Sequence, residues 1–272
     1  MFPYDFKHHR AASIAEAVAL GAALPDGRFL AGGQTLVQTM KLRLAAPTDL
    51  IDLDGVRELK GIALEGRRVI VGAMSRHAEV HNAAAVLETI PALAHLASEI
   101  GDRQVRNRGT IGGSLANNDP AADYPAAVLA LDALIVTNER VIDADSFFVG
   151  LYETTLRPGE LITSVQFPVP RRAGYVKFKN PASGFATVGV FVADFGSTVR
   201  VAVTGAGPTV FRLSQVEALL QESFSPQALD SVTVPADGLN SDLQADAAYR
   251  AHLIPVIARR AVASALGQQE PC

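Results

Sequence analysis

Apolar and polar positions change period several times along this chain, and each change predicts an element. Residues 13–24 carry apolar side chains at helical intervals behind Ser13, a helix-capping residue, and predict a helix. A short strand at 28–31, a glycine turn, a helix at 35–42 and a strand at 49–52 complete a small α/β unit. The runs 62–64 and 68–71 flank Glu65-Gly66 as a hairpin, and helical periodicity resumes at 75–87 and 91–100, with Pro91 in a first turn and Gly101 as a stop. A loop is predicted over 101–125, then a helix at 124–131 capped by Asp123 with Pro125 just inside it. Residues 133–148 read as a hairpin turning at Asn138-Glu139, and 160–170 as a further strand. The stretch 168–174, "PVPRRAG", reads as a linker because it breaks both helix and strand. Beyond it come a strand at 175–178, a loop at 179–184, an apolar stretch at 186–195, a strand at 199–204, and helices at 213–220 and 247–266, the last containing Pro255. The pattern divides the chain into three α+β segments, 1–55, 56–172 and 173–272, without an internal repeat.

Composition narrows the function classes. Of 272 residues 49% are apolar and 19% charged, an ordinary globular balance whose scant charge hints at surface covered by partners or ligand. A net charge of −4 without a long basic run argues against a nucleic-acid partner. The single cysteine, Cys272, excludes an internal disulfide and a cysteine-ligated cluster built within this chain. His77 and His81 stand four apart on a predicted helix, but without an HExxH pattern they read as a solvated face rather than a zinc site, and no metal ligands are assigned. The run 11–24 follows Lys7 and Arg10 like a secretory segment; Glu16 interrupts it, and it fits an amphipathic helix better. The run 126–136 is broken by Asp132 and too short to span a bilayer, so a cytoplasmic protein without a transmembrane segment is expected.

Two loops carry the candidate chemistry. "LAGGQTL" sets Gly32 and Gly33 between an apolar approach and Gln34-Thr35, and "TIGGSLANND" repeats the arrangement at Gly112-Gly113 with Ser114 behind them. Either pair alone is an ordinary turn, because glycine reaches positive φ freely. Together they can bracket a diphosphate with bare backbone N–H groups, helped by the hydroxyls of Thr35, Thr110 and Ser114. Neither loop has the GxGxxG spacing of a Rossmann unit, and no GxxxxGK[ST] occurs, which leaves a non-Rossmann nucleotide site suited to a flavin dinucleotide.

The stretches "LAGGQTLVQTMKLRLAAPTDLIDL" and "QVRNRGTIGGSLANNDPAADYPAAVLALDA" resemble the two flavin-binding motifs of the FAD-binding medium subunits of molybdenum hydroxylases. That family includes the carbon monoxide dehydrogenase medium subunit and the xanthine dehydrogenase flavin domain. The resemblance covers essentially the whole chain and implies an α+β architecture: a p-cresol methylhydroxylase-type FAD-binding fold of two α/β subdomains, then a C-terminal α+β domain. It implies that Leu30, Ala31, Gly32, Gly33, Gln34, Thr35 and Leu36 wrap the FAD pyrophosphate through backbone amides. Thr110, Ile111, Gly112, Gly113 and Ser114 would approach from the middle segment, and Asn118 and Asp123 would bond ribityl or sugar hydroxyls. Ile162 would pack by the flavin ring and Lys179 would lie near it. Read from the residues alone, Asp123 serves equally as a helix cap, Ile162 as core and Lys179 as a solvated cation. Many relatives carry His and Ser where this chain has Gln34 and Thr35, and others carry Arg and Asp where it reads "KNPASGF", so those charged contacts do not transfer.

No nucleophile or acid–base set stands out, and no catalytic residue is assigned. The resemblance implies a molybdopterin cofactor in a large partner subunit and [2Fe-2S] clusters in a small one, in a dimer of heterotrimers. FAD in this chain would collect electrons for an external acceptor, with backbone donors at the pyrimidine edge stabilising the reduced anion. Carbon monoxide, aldehydes, purines and other N-heterocycles stay open as substrates of the complex. A stand-alone flavin oxidoreductase and a flavin-free assembly module are the alternatives.

Overall fold

The computed structural model describes residues 2–268, so Cys272 lies outside the described residues. Three principal sheets follow one another along the chain. The first is parallel, in order β1-β3-β2, from β1 (Lys7–Arg10), β2 (Gly27–Leu30) and β3 (Asp49–Asp52). Parallel neighbours need crossovers, supplied by α1 (Ile14–Ala23), capped by Ser13 as expected, and α2 (Leu36–Lys41). The second is antiparallel, in order β4-β5-β10-β6-β7, from β4 (Ile62–Glu65), β5 (Arg68–Gly72), β6 (Leu134–Thr137), β7 (Val141–Asp143) and β10 (Ile162–Pro168). Between β5 and β6 run six helices: α3 (His77–Asn82), α4 (Ala84–Thr89), α5 (Pro91–Ser98), α6 (Arg103–Arg106), α7 (Ile111–Asn117) and α8 (Tyr124–Ala130). The short helix α9 (Ala144–Phe147) and a ribbon of β8 (Phe148–Gly150) with β9 (Glu153–Thr154) separate β7 from β10. The third sheet is antiparallel, in order β11-β12-β13-β14, from β11 (Arg172–Lys179), β12 (Ala186–Asp194), β13 (Val199–Thr204) and β14 (Phe211–Arg212). Helices α10 (Ser214–Glu222) and α11 (Ala247–Ala265) pack on it, and a Cβ on Gly174 of β11 would lie 2.1 Å from the Ala261 carbonyl oxygen of α11.

Three expectations are corrected. The helix predicted over 75–87 is two helices, because Ala83 turns extended (φ −68°, ψ 124°) and ends α3 as it starts α4. The stretch 101–125 is not a loop: it holds α6, capped by Asp102, and α7, capped by Thr110. The supposed linker is largely sheet. Pro168 ends β10, β11 starts at Arg172, and the residues between them bond to both sides, Val169 N to Arg67 O (2.9 Å) and Arg171 N to Asp194 O (2.8 Å).

α8 is apolar all round, and its seven residues are buried. It lies between the helices of the second segment and strands β12 and β13 of the third sheet. Arg200 Nε of β13 donates to Leu129 O near its end (3.0 Å), and Thr204 Oγ1 donates to Ala122 O just before its start (2.6 Å).

A buried carboxylate pins the β6–β7 hairpin to the approach of β10. Glu160 accepts from Arg140 Nε (2.9 Å) and Nη2 (3.0 Å), Thr137 Oγ1 (2.8 Å) and Arg157 N (2.8 Å). The Arg140 guanidinium above all, then the Arg157 amide and the Thr137 hydroxyl, hold its pKa down from 4.5 to about 2 against the opposing effect of burial. A depressed carboxylate pKa stabilises the fold above the unfolded value, and that stability is lost as pH falls from about 4.5 to about 2. The stability advantage of the natural chain over Glu160→Gln is expected to shrink across that window. Urea unfolding midpoints of the two proteins at about pH 7 and about pH 3 check it; an unchanged difference contradicts the ion-pair origin.

Candidate functional site

The first glycine loop leaves β2 at Leu30 and enters α2 at Leu36. Gly33 takes φ +73°, a conformation that favours glycine, and its carbonyl accepts from Val37 N at 3.2 Å. Thr35 stands at the helix start without a capping bond from its side chain. The backbone N–H groups of Gly32, Gly33, Gln34, Thr35 and Leu36 find no acceptor among the described residues. Five successive unengaged donors, half-buried to exposed, form a concentrated positive edge without a charged side chain.

The second glycine pair is built differently, and this corrects the expectation of two equivalent cradles. Gly112 and Gly113 lie in the first turn of α7, and their amides are engaged inside the protein. Ile111 N donates to Ser75 O (3.1 Å), Gly112 N to Ala73 O (2.8 Å), Gly113 N to Thr110 Oγ1 (3.2 Å) and Ser114 N to Thr110 O (3.0 Å). A Cβ on Gly112 would stand 2.7 Å from the Cβ of Ala73, so this glycine lets the helix approach the segment after β5. The hydroxyl of Ser114 carries no bond within the described residues.

The fold presses the two loops together. A Cβ on Gly32 would lie 2.2 Å from Arg108 O and 2.7 Å from Gly109 Cα, and one on Gly113 would lie 3.5 Å from Ala31 Cβ. Gly32 is therefore required by the opposing main chain. In turn, a Cβ on Gly109 would lie 2.4 Å from His77 Nε2.

The remaining candidates occupy structural positions. Asn118 closes α7 in the left-handed region (φ +42°), and its Nδ2 donates to Gly150 O (2.9 Å), Glu153 O (2.8 Å) and Thr209 Oγ1 (3.3 Å). Asp123 does not cap α8; its own backbone is already helical, and no cap bond forms. Its carboxylate instead accepts from the Tyr175 hydroxyl and pairs with Lys177 Nζ at 2.9 Å, both side chains of the ion pair being almost wholly buried. Burial pushes the Asp123 carboxyl up, against the pull of the adjacent Lys177 charge. Ile162 lies in the core of the second sheet, and Lys179 pairs with Glu99 at 2.6 Å, half-exposed. In "KNPASGF", Asn180 N donates to Phe185 O (2.8 Å), and Phe185 is exposed.

Sequence reasoning missed Lys177 and Tyr175. Strand alternation carries the signal, since residues two apart share a face and both reach Asp123. It also misjudged His77, which is buried rather than solvated. Burial first, then the Arg106 charge, lowers its pKa from 6.5 to about 4, so the ring is neutral. His77 Nδ1 and the hydroxyl of Tyr124, whose rings are 5.3 Å apart, are both buried without a hydrogen-bond partner among the described residues. His81 Nδ1 bonds to Ala94 O at 3.0 Å, and no group of three metal-ligating side chains forms among the described residues.

Residues 4–170, which contain both glycine loops, match the family described as FAD binding domain in molybdopterin dehydrogenase. The chain belongs to that family. It is similar to the carbon monoxide dehydrogenase medium chain of Hydrogenophaga pseudoflava, at 36% identity over 97% of this chain and 98% of the relative. It is also similar to the nicotine 6-hydroxylase medium subunit of Paenarthrobacter nicotinovorans, at 37% identity over 93% and 95%. A solved carbon monoxide dehydrogenase from Hydrogenophaga pseudoflava, in a form lacking the Mo-pyranopterin moiety of the molybdenum cofactor, superposes with a TM-score of 0.88 at 36% identity, covering 98% of this chain and 99% of that one. The architecture is thus the FAD-binding fold of molybdenum hydroxylases, and the chain is a flavoprotein oxidoreductase subunit. No helix among the described residues is long and apolar enough to cross a membrane.

The unengaged amides fit a dinucleotide diphosphate, and the Gly32 contact holds the loop that bears them. Gly32→Ala is expected to lose most of the bound FAD, because its methyl group drives the loops apart. Gly113→Ala, whose Cβ meets Thr110 Oγ1 at 3.0 Å, is expected to keep much more. Flavin absorbance per mole of purified protein measures both; equal retention contradicts the role given to the loop contact.

Proposed function

We propose that this chain is the FAD-carrying medium subunit of a heterotrimeric molybdenum hydroxylase or dehydrogenase in the cytoplasm. It receives electrons from [2Fe-2S] clusters of a small subunit, while substrate is oxidised at the molybdopterin centre of a large subunit, in a dimer of heterotrimers. The observation that carries the reading is the run of five unengaged backbone N–H groups from Gly32 to Leu36, held against the main chain of Arg108 and Gly109.

Bound FAD supplies the ability to accept electrons and pass them to an external acceptor. The amides of Gly32, Gly33, Gln34, Thr35 and Leu36 hold its diphosphate, with the hydroxyls of Thr35 and Ser114 as further donors. Leu30 and Ala31 bring that loop out of β2, while Thr110, Ile111, Gly112 and Gly113 form the opposite wall and set its spacing. Asn118 supports this wall by closing α7, Asp123 ties the start of α8 to β11 through Tyr175 and Lys177, Ile162 backs it from the second sheet, and Lys179, paired with Glu99, ends β11. With one cysteine in the chain, a cysteine-ligated cluster needs ligands from another subunit. The relatives are named for different substrates, carbon monoxide and nicotine, which supports a division of labour in which substrate choice lies outside this chain.

The visible spectrum and metal content of the chain, purified alone and with its co-purifying partners, test this reading. Flavin bands in this chain, with molybdenum and iron in the complex, are expected. Flavin with substrate turnover by the chain alone makes it a stand-alone oxidoreductase, and a colourless chain that still assembles makes it a flavin-free module.

A further inference from the structure

α2 ends in an unusual way. Leu44 N donates to Thr39 O (2.9 Å) and Arg43 N to Met40 O (3.0 Å), the double bond of a Schellman ending, in which the residue at Arg43 takes positive φ and is usually glycine. Here that residue is arginine at φ +61°, a conformation unfavourable for an L side chain. In such endings the residue after the left-handed one packs back on the helix, yet Leu44 is 77% exposed and Leu42 is 60% exposed. The arginine has a use. Its guanidinium lies 4.8 Å from the centroid of the Tyr4 ring and its Nε reaches Phe2 O at 3.5 Å, gathering the N-terminal segment beside the two leucines. Phe2 is 84% exposed, and Tyr4 and Phe6 are exposed as well. Five large apolar side chains are thus exposed along the N-terminal segment and the end of α2, which Arg43 joins through Tyr4 and Phe2.

We propose that this face docks the partner subunit that delivers electrons to the flavin, through an apolar surface on that partner rimmed with carboxylates. The inference rests on the subunit role argued above and assigns it a surface. Two observations choose the occupant. The face is continuous with the FAD cradle, because α2 carries the amide loop at one end and Leu42 at the other, its six residues spanning about 9 Å. The charge is also one-sided. Lys41 and Arg43 flank Leu42 in a chain whose net charge is −4, and neither pairs with a carboxylate among the described residues; Asp5 is the one carboxylate of residues 2–7, while Lys7 is answered by Asp49 across β1 and β3. A second copy of this chain meeting the face about a two-fold axis would set these cations against themselves, whereas an acidic rim answers them.

The test co-expresses the chain with its partner subunits and captures the complex through this chain. It reads iron-bearing partner per chain, flavin per chain and thermal midpoint. Leu42→Glu/Leu44→Glu is expected to lower partner retention about tenfold or more while flavin stays bound. Arg43→Gly separates docking from folding, because relief of the left-handed strain is expected to raise the thermal midpoint while partner retention falls. Partner retention at the natural level in both variants overturns the proposal and leaves the subunit role intact. Loss confined to self-association of the isolated chain, read by light scattering, overturns it in favour of a second copy. A natural chain that retains no iron-bearing partner overturns the subunit role and this proposal together.

Discussion

A helix buried on every side must have its polar ends answered by protein, and α8 imposes that condition on everything around it. Apart from the unpartnered hydroxyl of Tyr124 its side chains are apolar, so they offer neighbouring elements packing rather than hydrogen bonds. The ties come from the third sheet: Arg200 on the carbonyl of Leu129, Thr204 on that of Ala122, and Tyr175 and Lys177 on the carboxylate of Asp123. Four polar side chains from β11 and β13 therefore fix where the last segment sits. The buried ion pair of Lys177 with Asp123 is weak support for stability as such, but separating its partners would strand a charge in the interior. It acts as a positional key: the third sheet can seat against α8 in one register.

That seating reaches the glycine loops through α7, which packs on α8 and carries Gly112 and Gly113. The two loops have different tasks. The one that follows the first sheet is chemically open, its main-chain donors unengaged among the described residues. The one from the middle segment is internally satisfied and works as a spacer, its amides tied to Ala73, Ser75 and Thr110. Behind it lie the neutral ring of His77 and the hydroxyl of Tyr124, two buried polar groups with no hydrogen-bond partner among the described residues.

Much of the fold was legible because its signals are local. Ser13 and Pro91 mark helix starts by capping chemistry, the strand 49–52 carries its own apolar run, and Glu65-Gly66 turns a hairpin as its residues require. What escaped was set by contacts distant in sequence. α6 and α7 lie in a polar, glycine-containing stretch whose intrinsic preference is against helix; Asp102 and Thr110 cap them, and packing against Ala73 holds α7. Asp123 looked like a cap because it precedes a helix, and only the folded chain brings Lys177, fifty-four residues away, to its carboxylate. The two glycine pairs looked alike in sequence, yet one frees its amides while the other hides them, a difference made by what stands opposite. The family was legible from their order and spacing, and the residues 4–170 that match it contain both.

A cradle made from main-chain amides has an evolutionary consequence. Such donors are present whatever side chain the position bears, proline excepted, so drift at Gln34 or Leu36 would leave the proposed cradle in place. Selection needs to guard only the missing atoms: the hydrogen in place of a methyl group at Gly32, where a Cβ would stand 2.2 Å from a carbonyl oxygen, and the turn at Gly33. A site written in absences can keep its function while most of its surroundings change.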